Sequence, residues 1–336
     1  MRLLVITQQN SGVGYHRLML PIYYMAKDSA YFTDTINDEI LSEGFDLVVV
    51  NRYIPTCHIT DLIAYKEKYG FKLILDVDDY WDLDPWHILY DQYDAQPIID
   101  HIKAADMVTC TNMKLRYEIS QMNQNVHVIP NALPFGKDQF IDVHVPGENV
   151  RVVYTGSITH QKDVALLGNP FKKILSDKSL VNKMHFTLCG YDPANEYSKM
   201  IWHRMIHDFT CGLKMPGAVK KALPIMEYMN FYNEADISVV PLVSSKFNGM
   251  KSNLKVLEAA TKKIAVLVSN VDPYSGCPYV AKVNNQTDWY KELKKLVNDA
   301  IYRKELGEAN YEWCIQNFHL DKINKLREQL YKSLCQ

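Results

Sequence analysis

The chain carries no excess of charge. Its 37 lysines and arginines stand against 39 aspartates and glutamates, a net charge of −2. That balance excludes a global positive field that would recruit nucleic acid or acidic lipid, and leaves only a local basic patch open. Paired cysteines are missing too. The 7 cysteines are scattered and none has C-x-x-C spacing, so they read as reduced, mostly buried thiols of a cytoplasmic protein. Long apolar runs are absent. The opening MRLLVIT is too short for a signal peptide or a membrane span, and no other stretch is long enough to cross a bilayer. No low-complexity tract or short repeat is visible.

What is present is ordinary for a globular protein: 47% hydrophobic and 23% charged residues in 336 positions. A single core rarely serves that length, so two domains are expected. Short apolar runs alternate with helical patterns. RLLVIT, FDLVVVNR, KLILDVDD, DMVTC and VHVI read as strands, with helices over about Tyr15–Lys27, Ile59–Tyr69 and Met113–Met122 between them. Continuous apolar strands between helices imply a parallel sheet covered on both faces. The rhythm breaks from Pro134 to Glu148, which reads as a linker. It restarts with VRVVYTGS, MHFTLCG, DISVVPL and IAVLVSN, and a last helix runs from Asp321 to Leu334. The expected fold is therefore α/β, with two Rossmann-like doubly wound domains facing across a cleft. In such sheets, ligands bind at the C-terminal ends of the strands.

Four constellations could carry chemistry. In NSGVGYHR, Asn10 to Arg17, Gly12 and Gly14 permit a tight turn and close approach to a ligand. Arg17 stands where the third glycine of a dinucleotide fingerprint belongs, which argues against such a cofactor. A plain strand-to-helix turn explains the same residues. In DVDDYWDLDPW, Asp76, Asp78 and Asp79 crowd the end of a strand and call for a cation or a basic partner. A magnesium or manganese site, groups facing an acceptor, and loop capping all remain open, although no second ligand group supports the metal. Trp81 and Trp86 suit either stacking on a sugar or closure of the core. In YTGSITHQKD, Gly156 and Ser157 form a donor-rich turn, and His160 and Lys162 could neutralise a phosphate there. In VSSKFNGMKSNLKVLEAATKK, Asn248 and Gly249 lie in a loop and Ser252 reads as an N-cap. Lys251, Lys255 and Glu258 would share one helix side, while Leu254 and Leu257 face the core. A carboxylate at Glu258 could accept both hydroxyls of a ribose. A solvated charged helix face is the plainer alternative.

Taken together, these segments resemble the two-domain GT-B glycosyltransferases, in particular the large family-4-like group (glycosyltransferase group 1) and its bacterial and phage members. The resemblance covers nearly the whole chain. It is most specific over Asp236 to Glu258, where DISVVPL and FNGMKSNLKVLEAA look like that group's strand, loop and K-S-x-x-K-x-x-E helix. PNAL, YTGSITHQKD and AADMVTCTN are similar to further family segments. The resemblance implies an acceptor-side domain over 1–140, with the helix 320–336 packing back on it, and a nucleotide-sugar domain over 148–319. It implies transfer of a sugar from a nucleotide-diphosphate sugar, UDP-sugar favoured, to a hydroxyl acceptor. Retention is implied, with no obligatory metal, although a divalent ion is conceivable. Glu258 matches the ribose glutamate, Lys251 and Ser252 the phosphate side, Gly156, Ser157 and Lys162 the turn facing the diphosphate, and Gly12 and Gly14 the first-domain glycine loop. One departure is plain: Met250 stands where many members carry a second glutamate that contacts the donor sugar. Lys162 also replaces only part of an Arg-plus-Lys pair.

In this reading Lys251 and Lys162 stabilise the leaving diphosphate as its charge grows. An inverting enzyme would need a base such as Asp78, Asp79 or His87. The acceptor is a glycan, a lipid-linked sugar, a protein side chain or a hydroxymethylated base in phage DNA. A sugar-nucleotide epimerase and a non-catalytic nucleotide-binding module are the competing readings.

Overall fold

The computed structural model describes residues 1–8, 11–145, 147–212, 214 and 216–336. Asn10 of the glycine segment and Pro146 of the linker lie outside the described residues. The chain divides into two compact units. The first gathers Met1–Leu133, Met250–Ser252 and Phe318–Gln336, and the second Pro134–Gly249 and Asn253–Asn317.

The first unit is built on a six-stranded parallel sheet: β1 (Leu3–Ile6), β2 (Ala30–Thr33), β3 (Leu47–Asn51), β4 (Lys72–Val77), β5 (Met107–Cys110) and β6 (Val126–Val128), in the order β2-β1-β3-β4-β5-β6. β1 and β5 are buried at every position, as continuous apolar runs between two helix layers must be. The helix Ile59–Tyr69 ends at Gly70, whose φ of 71° suits glycine. The helix Leu320–Leu334 places Tyr331 in the core with Leu3, Val5, Leu18 and Ile22. A backbone bridge between Leu133 and His319 leads that helix in, and Asn324 Nδ2 donates to the Pro21 carbonyl at 2.9 Å.

The second unit repeats the plan: β7 (Val150–Thr155), β8 (Met184–Tyr191), β9 (Gly217–Lys221), β10 (Ile237–Val240), β11 (Ala265–Ser269) and β12 (Ala281–Val283), all parallel, in the order β12-β11-β10-β7-β8-β9. Phe171, Phe186 and Phe209 stack at one side of it, with ring centroids 4.5–5.8 Å apart. Both sheets are thus parallel and covered by helices, the α/β architecture expected.

Several details differ from the sequence expectation. β2, β9 and β12 were not anticipated. β2 and β9 are half-exposed sheet edges and β12 is only three residues long, so none shows a sustained apolar run. The first helix begins at Gly12, not Tyr15, and passes through a π-helical turn over Tyr15–Met19. The helix expected to carry Lys251 begins only at Leu254. Trp81 is buried and closes the core, whereas Trp86 is half-buried. All seven cysteines are free thiols. No helix among the described residues is long and apolar enough to cross a membrane.

Candidate functional site

The second unit gathers its polar groups at the C-terminal ends of β7 and β10, which are neighbours in the sheet. After β7 the chain turns at Gly156. A Cβ there would lie 2.4 Å from the Tyr154 hydroxyl, so only glycine fits above that side chain. Ser157 Oγ and Thr159 Oγ1 bond at 2.7 Å, and the short helix Gln161–Ala165 follows. Lys162 is exposed on that helix.

Glu258 is only 1% exposed, so the solvated helix face does not describe it. Its Oε2 accepts from the Tyr232 hydroxyl at 2.8 Å and from Lys255 Nζ at 3.0 Å. Tyr232 OH in turn pairs with Thr155 Oγ1 at 2.8 Å, which ties Glu258 to the end of β7 beside Gly156. Lys255 lies 4.6 Å from the Tyr228 ring centroid and also donates to the Tyr228 hydroxyl. Burial works against the lysine's charge, yet Glu258 and Tyr228 hold its pKa above the ordinary value. Burial likewise pushes the Tyr232 phenol well up, reinforced by the Glu258 charge, so Tyr232 stays a proton donor. Leu254 is half-buried rather than a core residue, and the deeply buried positions of this helix are Val256, Leu257, Glu258, Ala259 and Ala260.

A second buried carboxylate, Asp163, joins the two loops. It accepts from the backbone N–H of Val243 at 2.7 Å and Asn248 Nδ2 at 3.2 Å, and it bonds His160 Nδ1 at 2.8 Å. Asn248 is itself buried and donates to the Val243 carbonyl at 3.0 Å. Gly249 ends the same turn, with its N–H on the Ser245 carbonyl at 2.9 Å.

In the first unit the carboxylates find arginines. Asp76 receives Arg17 through Nε at 2.9 Å and its second nitrogen at 2.8 Å, and Thr109 Oγ1 at 2.6 Å. Asp78 receives Arg52 at 2.7 and 3.0 Å, and the same guanidinium reaches Asp79 at 3.1 Å. Arg52 adopts a left-handed φ of 59°, an uncommon conformation for a side chain of this size. Burial opposes the charge of both arginines, and their aspartates more than offset it. Nearby, burial and the Arg17 charge push the Arg327 guanidinium down to about 10. His87 Nδ1 accepts the Leu89 N–H at 3.2 Å.

Met250–Ser252 belong to this unit. Asn112 Nδ2 donates to the Met250 carbonyl at 2.7 Å, and Lys251 Nζ lies 3.7 Å from Asp79. Ser252 is not an N-cap: Asn253 holds that position, and Ser252 Oγ accepts from Asn131 Nδ2 at 2.7 Å. Gly14 is buried with its Cβ position 2.1 Å from Thr7 Oγ1, a packing demand, whereas Gly12 is exposed.

The structure therefore brings Gly156, Ser157, His160, Asn248, Gly249 and Glu258 to the same strand ends in the second unit. It gathers Asp78, Asp79, Lys251 and Ser252 in the first. Sequence reasoning gave no role to Asp163, Tyr228, Tyr232 or Arg52. The H-x-x-D spacing of His160 and Asp163 was the one available signal. Among the described residues, no group of three or more His, Cys, Asp or Glu side chains is arranged to hold a metal ion.

Comparison with known proteins follows the same lines. Residues 149–299 match the family described as Glycosyl transferases group 1. No curated protein matches the chain in sequence. Among solved structures, sucrose-phosphate synthase from Thermosynechococcus elongatus is similar over 99% of both chains, at 13% identity and a TM-score of 0.72. Anabaena HepE in complex with UDP is similar over 99% of this chain and 100% of its own, at 10% identity and a TM-score of 0.72. The trehalose-6-phosphate synthase OtsA is similar over 99% of both, at 9% identity and a TM-score of 0.73. At these identities the likeness is one of fold, and the fold is GT-B.

Proposed function

We propose that the chain is a glycosyltransferase that transfers a sugar from a nucleoside-diphosphate sugar, UDP-sugar favoured, to a hydroxyl acceptor, a reading supported by the group 1 match over residues 149–299 and by the GT-B fold. The observation that carries this reading is the buried Glu258 carboxylate, held by Tyr232 and Lys255 beside the Gly156 turn. Preorganised in this way, a carboxylate accepts the two hydroxyls of a ribose without first being desolvated. HepE, one of the similar structures, binds UDP and UDP-glucose. That supports a uridine donor here.

Breaking the sugar–phosphate bond leaves extra negative charge on the diphosphate. Lys162 and His160, at the turn after β7, are the groups assigned to that charge. Losing one such donor typically costs about 3 kcal/mol of transition-state stabilisation. Because protein cations serve the leaving group, a divalent ion is not obligatory. Retention is supported by likeness in fold to a trehalose-6-phosphate synthase that transfers with retention. It is supported further by the engagement of Asp78 and Asp79 with Arg52, which suits them to positioning an acceptor rather than to taking its proton. The unpaired thiols agree with a cytoplasmic setting.

The test is donor turnover. Purified protein is incubated with a panel of UDP-, GDP- and TDP-sugars and assayed for free nucleotide. One donor is expected to hydrolyse slowly, and Glu258→Gln to lose most of the binding. Absence of binding to any nucleoside diphosphate sinks the proposal.

A further inference from the structure

Asp163 is 1% exposed, and its three partners are all nitrogen donors of formally neutral or titratable groups: a backbone N–H, an amide and an imidazole. Burying an ionised carboxylate without a lysine or arginine is costly. Burial and then the Asp163 charge raise the phenols of Tyr154 and Tyr274 above their ordinary range. If the loops after β7 and β10 merely needed a cross-link, a neutral asparagine would do it more cheaply.

What a carboxylate adds is direction for the histidine. A carboxylate only accepts, so Nδ1 of His160 must carry the hydrogen of their 2.8 Å bond. Among the described residues the ring makes no other hydrogen bond, and its side chain is 27% exposed. Nε2 is then the ring nitrogen left for a ligand. It sits on the turn that follows Gly156, at the strand ends where an α/β sheet receives its ligand.

We propose that Asp163 is a positioning residue which holds His160 so that, as the imidazolium, it donates Nε2–H to the departing diphosphate. This rests on the glycosyl-transfer reading above. With Nδ1–H engaged by the carboxylate, Nε2 carries a hydrogen only when both ring nitrogens are protonated, so a diphosphate that accepts from Nε2 brings a proton in from solvent. The contribution is a hydrogen bond and a charge, and no proton passes to the product. The same carboxylate fixes Val243 and Asn248, so the loop bearing Gly249 and the histidine are set by one group.

Calorimetry and kinetics test this together. UDP binding is measured above neutral pH in buffers of different ionisation enthalpy. The wild type is expected to take up a fraction of a proton per UDP, His160→Gln none, and Asp163→Asn clearly less than the wild type. Each variant is expected to lose about 10- to 100-fold in kcat for donor hydrolysis. The double variant should be no worse than His160→Gln, because one residue acts through the other. His160 is partly exposed, so its variant reports even if Asp163→Asn folds poorly. Binding without proton uptake, or losses that multiply in the double variant, overturns the inference alone. A wild type that binds no nucleoside diphosphate overturns the transferase reading with it.

Discussion

The two units bury carboxylates in opposite ways. In the first, Asp76 sits in the fork of Arg17 and also takes Thr109, so three of its roughly four acceptor positions are occupied by buried partners. In the second, Glu258 and Asp163 are held by a phenol, a lysine, an amide, a backbone N–H and an imidazole, each at a single point. A guanidinium fork fixes charge and geometry together and carries its proton at every accessible pH. Single-point donors fix geometry while keeping protons and bonds that a ligand can redistribute. The first arrangement suits a scaffold, and the second suits a place where something binds.

The contrast is broken most severely at the fork. Arg17→Met leaves Asp76 buried and unpaired, and about 3–5 kcal/mol of stability should be lost in urea unfolding. A loss below about 1 kcal/mol would make the pair no more than a surface bridge. Next is Glu258→Gln. Calorimetric affinity for UDP should fall by about 2–3 kcal/mol, as for hydrogen bonds to a charged group, while unfolding changes less. An unchanged affinity removes Glu258 from the donor site. Tyr232→Phe deletes one donor to Glu258 and its bond to Thr155. We expect about 1 kcal/mol lost in UDP affinity, with Tyr228→Phe as the comparison.

The smallest effect concerns a third way of holding charge. Lys262 is 2% exposed and donates to the carbonyls of Gln139, at 2.8 Å, and Ile141, at 2.5 Å. Burial pushes its pKa down to about 8. The folded protein therefore sheds this proton at lower pH than the unfolded chain, whose lysine keeps it to about 10.4. Stability from this group rises with pH above about 8, on the order of 1 kcal/mol by pH 9.5. Melting curves should show that rise in the wild type, and Lys262→Met should flatten it.

How much of this was legible in the sequence depended on distance along the chain. The central strands announced themselves because burial on both faces demands an unbroken apolar run, as in LLVI and LVVV. The edges did not, since β9 reads GAVKK, with two adjacent lysines and exposed positions alternating with half-buried ones. Glu258 was conspicuous only through its surrounding motif. Its burial depends on Tyr232, 26 positions earlier, which no spacing rule connects to it. The acidic cluster at Asp76–Asp79 was readable as needing cations, but its partners Arg17 and Arg52 lie 59 and 26 residues away. The N-cap reading of Ser252 failed for a related reason. Its hydroxyl was committed to Asn131, 121 residues earlier, rather than to its own helix.

The return of the last helix to the first unit has a consequence in time. Tyr331 completes a core whose other members include Leu3 and Leu18, and Asn324 reaches back to Pro21. During synthesis, the second unit is therefore fully made before the first possesses all of its core. The first unit must wait, its core incomplete, until the helix Leu320–Leu334 has been made.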